Sequence, residues 1–169
     1  MYNKTYRPTR EDAIGINELI EKDVRIEKGQ SQALYYAFKD AHEDGLAGKI
    51  KWEEIAKCRF GKDKEVDISE EEYSSARSFM VDEEDWDFVV QDFKTQLHIE
   101  KVRISYLTRL CIIAARMRLL DNVSEEKTFK VKIKNLDAAE LEFKVHEKVH
   151  NWIKNGKYEK VQKILEEED

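Results

Sequence analysis

The chain is poor in the residues that break or brace a backbone. One proline, Pro8, and six glycines stand among 169 residues, so sharp turns are few and long helices are favoured. Two cysteines, Cys58 and Cys111, are too few and too far apart for a disulfide-braced secreted scaffold, and both are expected to be reduced. There is no N-terminal apolar run of the signal-peptide kind, and no apolar stretch nears the ~20 residues that span a bilayer. A cytoplasmic protein without a membrane partner is expected. A glycine-rich phosphate loop, a Cys/His cluster and a nucleophile motif are all missing, so no cofactor is expected either.

Charge is what the chain has in quantity. Charged residues make up 39%, with a net charge of −6, and the two signs are segregated. From Asp67 to Asp92 ten acids face one base, Arg77, whereas Lys101 to Arg118 carries five bases and no acid. The simplest expectation is that these neighbouring blocks pack together and neutralise each other. The alternative is an acidic face, centred on Glu83, Glu84, Asp85 and Asp87, presented to a basic partner such as a protein that handles nucleic acid.

Apolar periodicity predicts a mainly α fold. The organising element is a helix over about 99–120, whose rows Ile99, Val102, Tyr106, Leu110, Ile113, Met117 and Ile104, Leu107, Cys111, Ala114 make a stripe wider than a surface helix needs. It is expected to be buried by neighbours on most sides. Three segments follow from the pattern, together forming one domain or several: a strand and two helices over 1–45, a helical core over 46–122, and a β-hairpin with terminal helices over 123–169. In the first, Tyr2, Lys4 and Tyr6 alternate with Asn3, Thr5 and Arg7, Thr9 caps a helix running to about Val24, and Ser31 caps a second. In the core, helices are expected over 50–58, 68–80 and 82–97. In the last, Phe129, Val131 and Ile133 alternate with lysines, and Leu141, Phe143 and Val145 with charged residues, as in a hairpin. No internal repeat is visible. The apolar side of the central helix also holds Arg103 and Arg118, which call for acidic partners.

The stretch YNKTYRPTRED followed by two capped helices resembles the ribbon-helix-helix family of DNA-binding proteins over about residues 2–43. The resemblance implies an intertwined homodimer with the outward strand residues Asn3, Thr5 and Arg7 in the major groove, bonding base edges. Residues 1–31 carry no net charge, and the turn between the helices is replaced by DVRIEKGQ.

A second resemblance covers five residues. His146-Glu147-Lys148-Val149-His150 is similar to the H-E-x-x-H of zincin metalloproteases, which implies His146 and His150 as zinc ligands and Glu147 as the base that activates a water. Lys148 sets a cation beside that metal. The leading expectation is therefore a small non-enzymatic binding or regulatory protein of the phage or plasmid accessory type, acting on duplex DNA or on a nucleic-acid-handling protein.

Overall fold

The computed structural model describes residues 1–137, with side chains through Asp121. The fold is mainly helical with a small two-stranded antiparallel sheet. Strand β1 (Tyr2–Tyr6) leads into α1 (Arg10–Lys22) and α2 (Gln30–Leu46). A connecting segment follows, holding α3 (Trp52–Lys57) and two single 3-10 turns at Gly61–Glu65 and Glu70–Glu72. Then come β2 (Arg77–Val81), α4 (Glu83–Leu97) and α5 (Ile104–Asp137).

Local chemistry explains the boundaries. Thr9 and Asp12 form a reciprocal capping box at the start of α1: the Thr9 amide donates to Asp12 Oδ2 at 2.8 Å and the Asp12 amide to Thr9 Oγ1 at 3.2 Å. Gly29, at φ 94°, opens α2 in a conformation that a side chain would strain. α4 ends on His98, which takes the left-handed conformation at φ 54°. The central helix consequently starts at Ile104, and Ile99 stays in a loop, 36% exposed.

Three expectations are overturned. Ser31 does not cap α2 but lies inside it, after Gly29, and no side chain caps that helix. Residues 68–80, expected as a helix, form a 3-10 turn and β2 instead. Phe79 and Val81 point inward while Ser78 and Met80 point out, so strand periodicity wins there. Residues 129–133, expected as the first hairpin strand, continue α5. A helix already nucleated and packed propagates at little cost through a lysine- and glutamate-rich stretch. The second hairpin strand, 141–145, lies outside the described residues.

The elements fall into two β-α-α units, β1-α1-α2 and β2-α4-α5. Adding 75 to the strand numbers and 73 or 74 to the helix numbers carries the first unit onto the second. Buried positions coincide: Asp12 with Asp85, Ala13 with Trp86, Ile16 with Val89, Ala33 with Leu107, Ala37 with Cys111, Phe38 with Ile112 and Ala41 with Ala115. The strands pair with Tyr2 opposite Val81 and Tyr6 opposite Arg77, which sets a local two-fold between Lys4 and Phe79. Packing across that axis is reciprocal. α1 lies on α5 and α2 on α4, α2 and α5 lie on each other, and each of those two also touches the other unit's strand. Both units feed one core, in which Phe38 stacks on Phe79 and meets Trp86.

Size is traded across the axis. Gly15 of α1 occupies the place of Phe88 in α4. A Cβ on Gly15 would stand 2.7 Å from Ile112 Cγ2 and 2.9 Å from Arg116 Cδ. Where α4 carries Phe88, α2 supplies Gly45, whose Cβ would meet the Phe88 ring at 2.5 Å. Gly15→Ala is expected to destabilise the fold by about 1–3 kcal/mol through overpacking, despite alanine's ~1 kcal/mol helix advantage. Gly61→Ala, where the added methyl meets open space, should fall within about 0.5 kcal/mol of the parent. Urea unfolding of the two variants checks the contrast, and an unchanged Gly15→Ala midpoint refutes the close approach.

Candidate nucleic-acid interface

The ribbon has one covered and one open face. Tyr6, Phe79 and Val81 are buried beneath it, and Lys4 lies inward with its ammonium over the Trp86 ring at 4.4 Å. The open face carries Asn3 and Thr5 from β1 and Ser78 and Met80 from β2, all exposed. Thr5 Oγ1 and Ser78 Oγ lie 3.1 Å apart across the strands. Arg7 is exposed just beyond β1. The structure thus puts Asn3 and Thr5 side by side on an open surface, and adds Ser78 and Met80, which sequence reasoning missed. Nothing in the sequence marked them, because Arg77 and Ser78 are both polar and Phe79, Met80 and Val81 all apolar, so the stretch shows no alternation of type.

The ribbon's two ends differ in charge. Past the Tyr2–Val81 end lie Glu83, Glu84 and Asp87, all exposed. The Met1 amino group approaches Glu83 at 3.8 Å and the Tyr2 hydroxyl donates to Asp87 at 3.4 Å. Asp85, expected on the same acidic face, is 5% exposed and belongs to the interior. His42 Nδ1 is 2.8 Å from Asp85 Oδ1 while Lys39 Nζ reaches Asp85 Oδ2 at 3.0 Å and Asp82 at 2.9 Å. The Tyr35 hydroxyl also donates to Asp82, at 2.8 Å. The Lys39 and Tyr35 hydrogen bonds hold the Asp82 carboxyl below the usual carboxylate range.

Asp12, the counterpart of Asp85, meets Arg109 of α5 at 3.5 Å. Burial pushes its pKa up, with Thr9 and Arg109 opposing that shift. The bases of the central helix also pair elsewhere than expected. Arg116, at 5% exposure, grips Asp63 through two bonds of 2.9 and 2.8 Å, bonds Glu18 at 2.9 Å and lies 3.7 Å from the Phe60 ring centroid. Arg118 meets Asp40, Glu43 and Asp44, whereas Arg103 is exposed. Those acids lie in α1, α2 and the connecting segment, so the 67–92 block does not supply them.

Beside α1, a groove of about 630 Å³ is lined by Ile14, Val66, Ile68, Leu120 and the already paired Arg116. No group of three or more His, Cys, Asp or Glu among the described residues is placed to hold a metal. His146 and His150 lie outside the described residues. Among those described, no helix is long and apolar enough to cross a membrane.

Compared with family models, curated proteins and solved structures, the chain matches none.

Asp82 and Asp12 act on acid stability with opposite signs. The depressed Asp82 contributes stability above the ordinary value of 3.8 and loses it as pH falls through its folded pKa. The raised Asp12 behaves in reverse: its burial is best tolerated below 3.8 and turns unfavourable as pH rises through its folded value. Between about pH 5 and pH 3, Asp82→Asn should flatten the loss of stability and Asp12→Asn should steepen it, followed by urea midpoints at each pH. Parallel profiles for parent and variants would refute both assignments.

Proposed function

We propose that the protein is a non-enzymatic duplex-DNA-binding protein that reads base edges with the open face of the β1–β2 ribbon. The observation that carries this reading is the ribbon itself. A two-stranded antiparallel pair fits a major groove, and this one has Tyr6, Phe79 and Val81 taken into a helical platform and leaves Asn3, Thr5, Ser78 and Met80 outside. Asn3 can bond adenine through two atoms, Thr5 and Ser78 offer hydroxyls to any base, and Met80 supplies an apolar surface for a thymine methyl. The strand-helix-helix order of both units resembles the ribbon-helix-helix arrangement, with the second strand drawn from the same chain. A second copy is therefore not needed to complete the ribbon. An accessory role in the cytoplasm, on a phage or plasmid, fits a protein of this size and charge.

The net charge of −6 means that phosphate attraction contributes little, so binding depends on groove contacts and has a shallow salt dependence. Glu83, Glu84 and Asp87 flank the ribbon and oppose the phosphates. They support a second reading, in which they dock a basic protein.

One experiment separates the two. In low-salt fluorescence anisotropy with labelled duplexes, Asn3→Ala combined with Ser78→Ala should weaken binding at least tenfold, at about 1–3 kcal/mol per base contact, with an unchanged circular dichroism spectrum. Reversing Glu83, Glu84 and Asp87 to Lys should tighten it. No binding to any duplex ends the first reading. Capture of a basic protein that the same reversal abolishes would establish the second.

A further inference from the structure

Resting on the duplex-binding reading, we infer that a single chain forms the complete reading head and that its target is an asymmetric run of base pairs, taken in one fixed orientation. The local two-fold of the ribbon exchanges Asn3 with Ser78 and Thr5 with Met80. None of these exchanges conserves chemistry. On one side of the axis the cross-strand pair is Asn3 with Met80, an amide beside a thioether. On the other it is Thr5 with Ser78, two hydroxyls 3.1 Å apart.

The first pair suits one base pair in particular. An amide bonds the N6 and N7 of adenine, and an apolar group beside it fits a thymine methyl, so this half selects A·T. The second pair, with both hydroxyls able to donate or accept, discriminates weakly. A palindrome would need the same side chains on both sides of the axis, and this ribbon has different ones.

Charge fixes the direction. The Asn3–Met80 half ends at Glu83 and Asp87, with the Met1 amino group beside Glu83, and the Thr5–Ser78 half ends at the exposed Arg7. Arg77, on the covered side, is half-buried and donates to the Glu71 carbonyl. Continuing the strand equivalence by one position places Arg7 opposite in role to Asp82, a cation against an anion. The arginine end anchors on phosphate while the acidic end stays clear of it, so the two orientations of the ribbon in the groove differ in energy.

The test is a selection by the full chain from a randomised duplex pool, followed by native mass spectrometry of the chain on the enriched sequence. The expected result is a non-palindromic consensus with one strongly specified A·T position and one chain per duplex. Repeated with Asn3→Ala, the selection should lose the A·T position, with affinity for the parent consensus falling about tenfold. With Ser78→Ala the A·T position should persist. Arg7→Ala should weaken all duplexes alike and reduce the salt slope by about one. A two-fold-symmetric consensus occupied by two chains would overturn this inference and leave duplex binding standing. A pool with no enrichment would end both.

Discussion

Asp12 and Asp85 stand at the same place, three residues past the helix cap of each unit, and each is buried where a helix of the opposite unit reaches it. A carboxylate taken out of water is costly unless charge or hydrogen bonds replace the solvent. Asp85 meets that demand with Lys39 and His42 of α2, and Asp12 with its own cap and Arg109 of α5. Neither unit can satisfy its own aspartate fully. The first helix of each half therefore depends on the second helix of the other, and separating the halves would strand two buried charges as well as split the core. The same logic holds further along α2, where the nearly buried Asp40 is claimed by Arg25 at 2.6 Å and by Arg118 of the opposite unit at 3.6 Å.

That mutual dependence explains why the ribbon exists at all. A lone two-stranded pair is marginal in water, and this one has five residues in each strand. It persists because Tyr6, Phe79 and Val81 are roofed by helices from both units, with Phe38 and Phe79 ring centroids 5.6 Å apart. Covering one face leaves the side chains of Asn3, Thr5, Ser78 and Met80 exposed on the other. The connecting segment contributes by bracing. Trp52 donates to Asp92 and Gln96 of α4, while Arg10 of α1 donates to the carbonyls of Asp63 and Val66. The two units are thus tied by the very stretch that separates them in sequence.

Much of the first unit was legible because its signals are local. The Thr9 cap lies within three positions of the helix start it specifies, although the start of α2 expected at Ser31 is misplaced, since Gly29 sets it. β2 was hidden because its partner is 75 positions away and it follows a run of acids and serines that reads as a helix start. The correspondence between the two units was hidden for a different reason. What the two units share is the spacing of buried positions, and few identities survive beyond Glu11 with Glu84, Asp12 with Asp85, Ser31 with Ser105 and Ala41 with Ala115. A core requires apolar volume at fixed places and is tolerant of which residue supplies it. The half of the open face that β1 provides was readable from alternation in Asn3, Thr5 and Arg7. The half that β2 provides was not, because recognising it required the strand.

Joining two such units in one chain changes what each position can do. In a dimer of identical chains every substitution appears twice, so a bulky residue at a crossing point must be accommodated on both sides of the axis. Here each side is free to differ. Phe88 fills the space that Gly45 leaves, while its counterpart Gly15 lets α5 come close enough for Ile112 and Arg116 to press against α1. The buried acids show the same freedom, one paired with a lysine and a histidine and the other with an arginine. The core accommodates this difference because both units pack into one shared cluster. The open face is under no packing constraint, so there the two halves are free to diverge furthest. An amide with a thioether on one side and a pair of hydroxyls on the other is the outcome of that freedom.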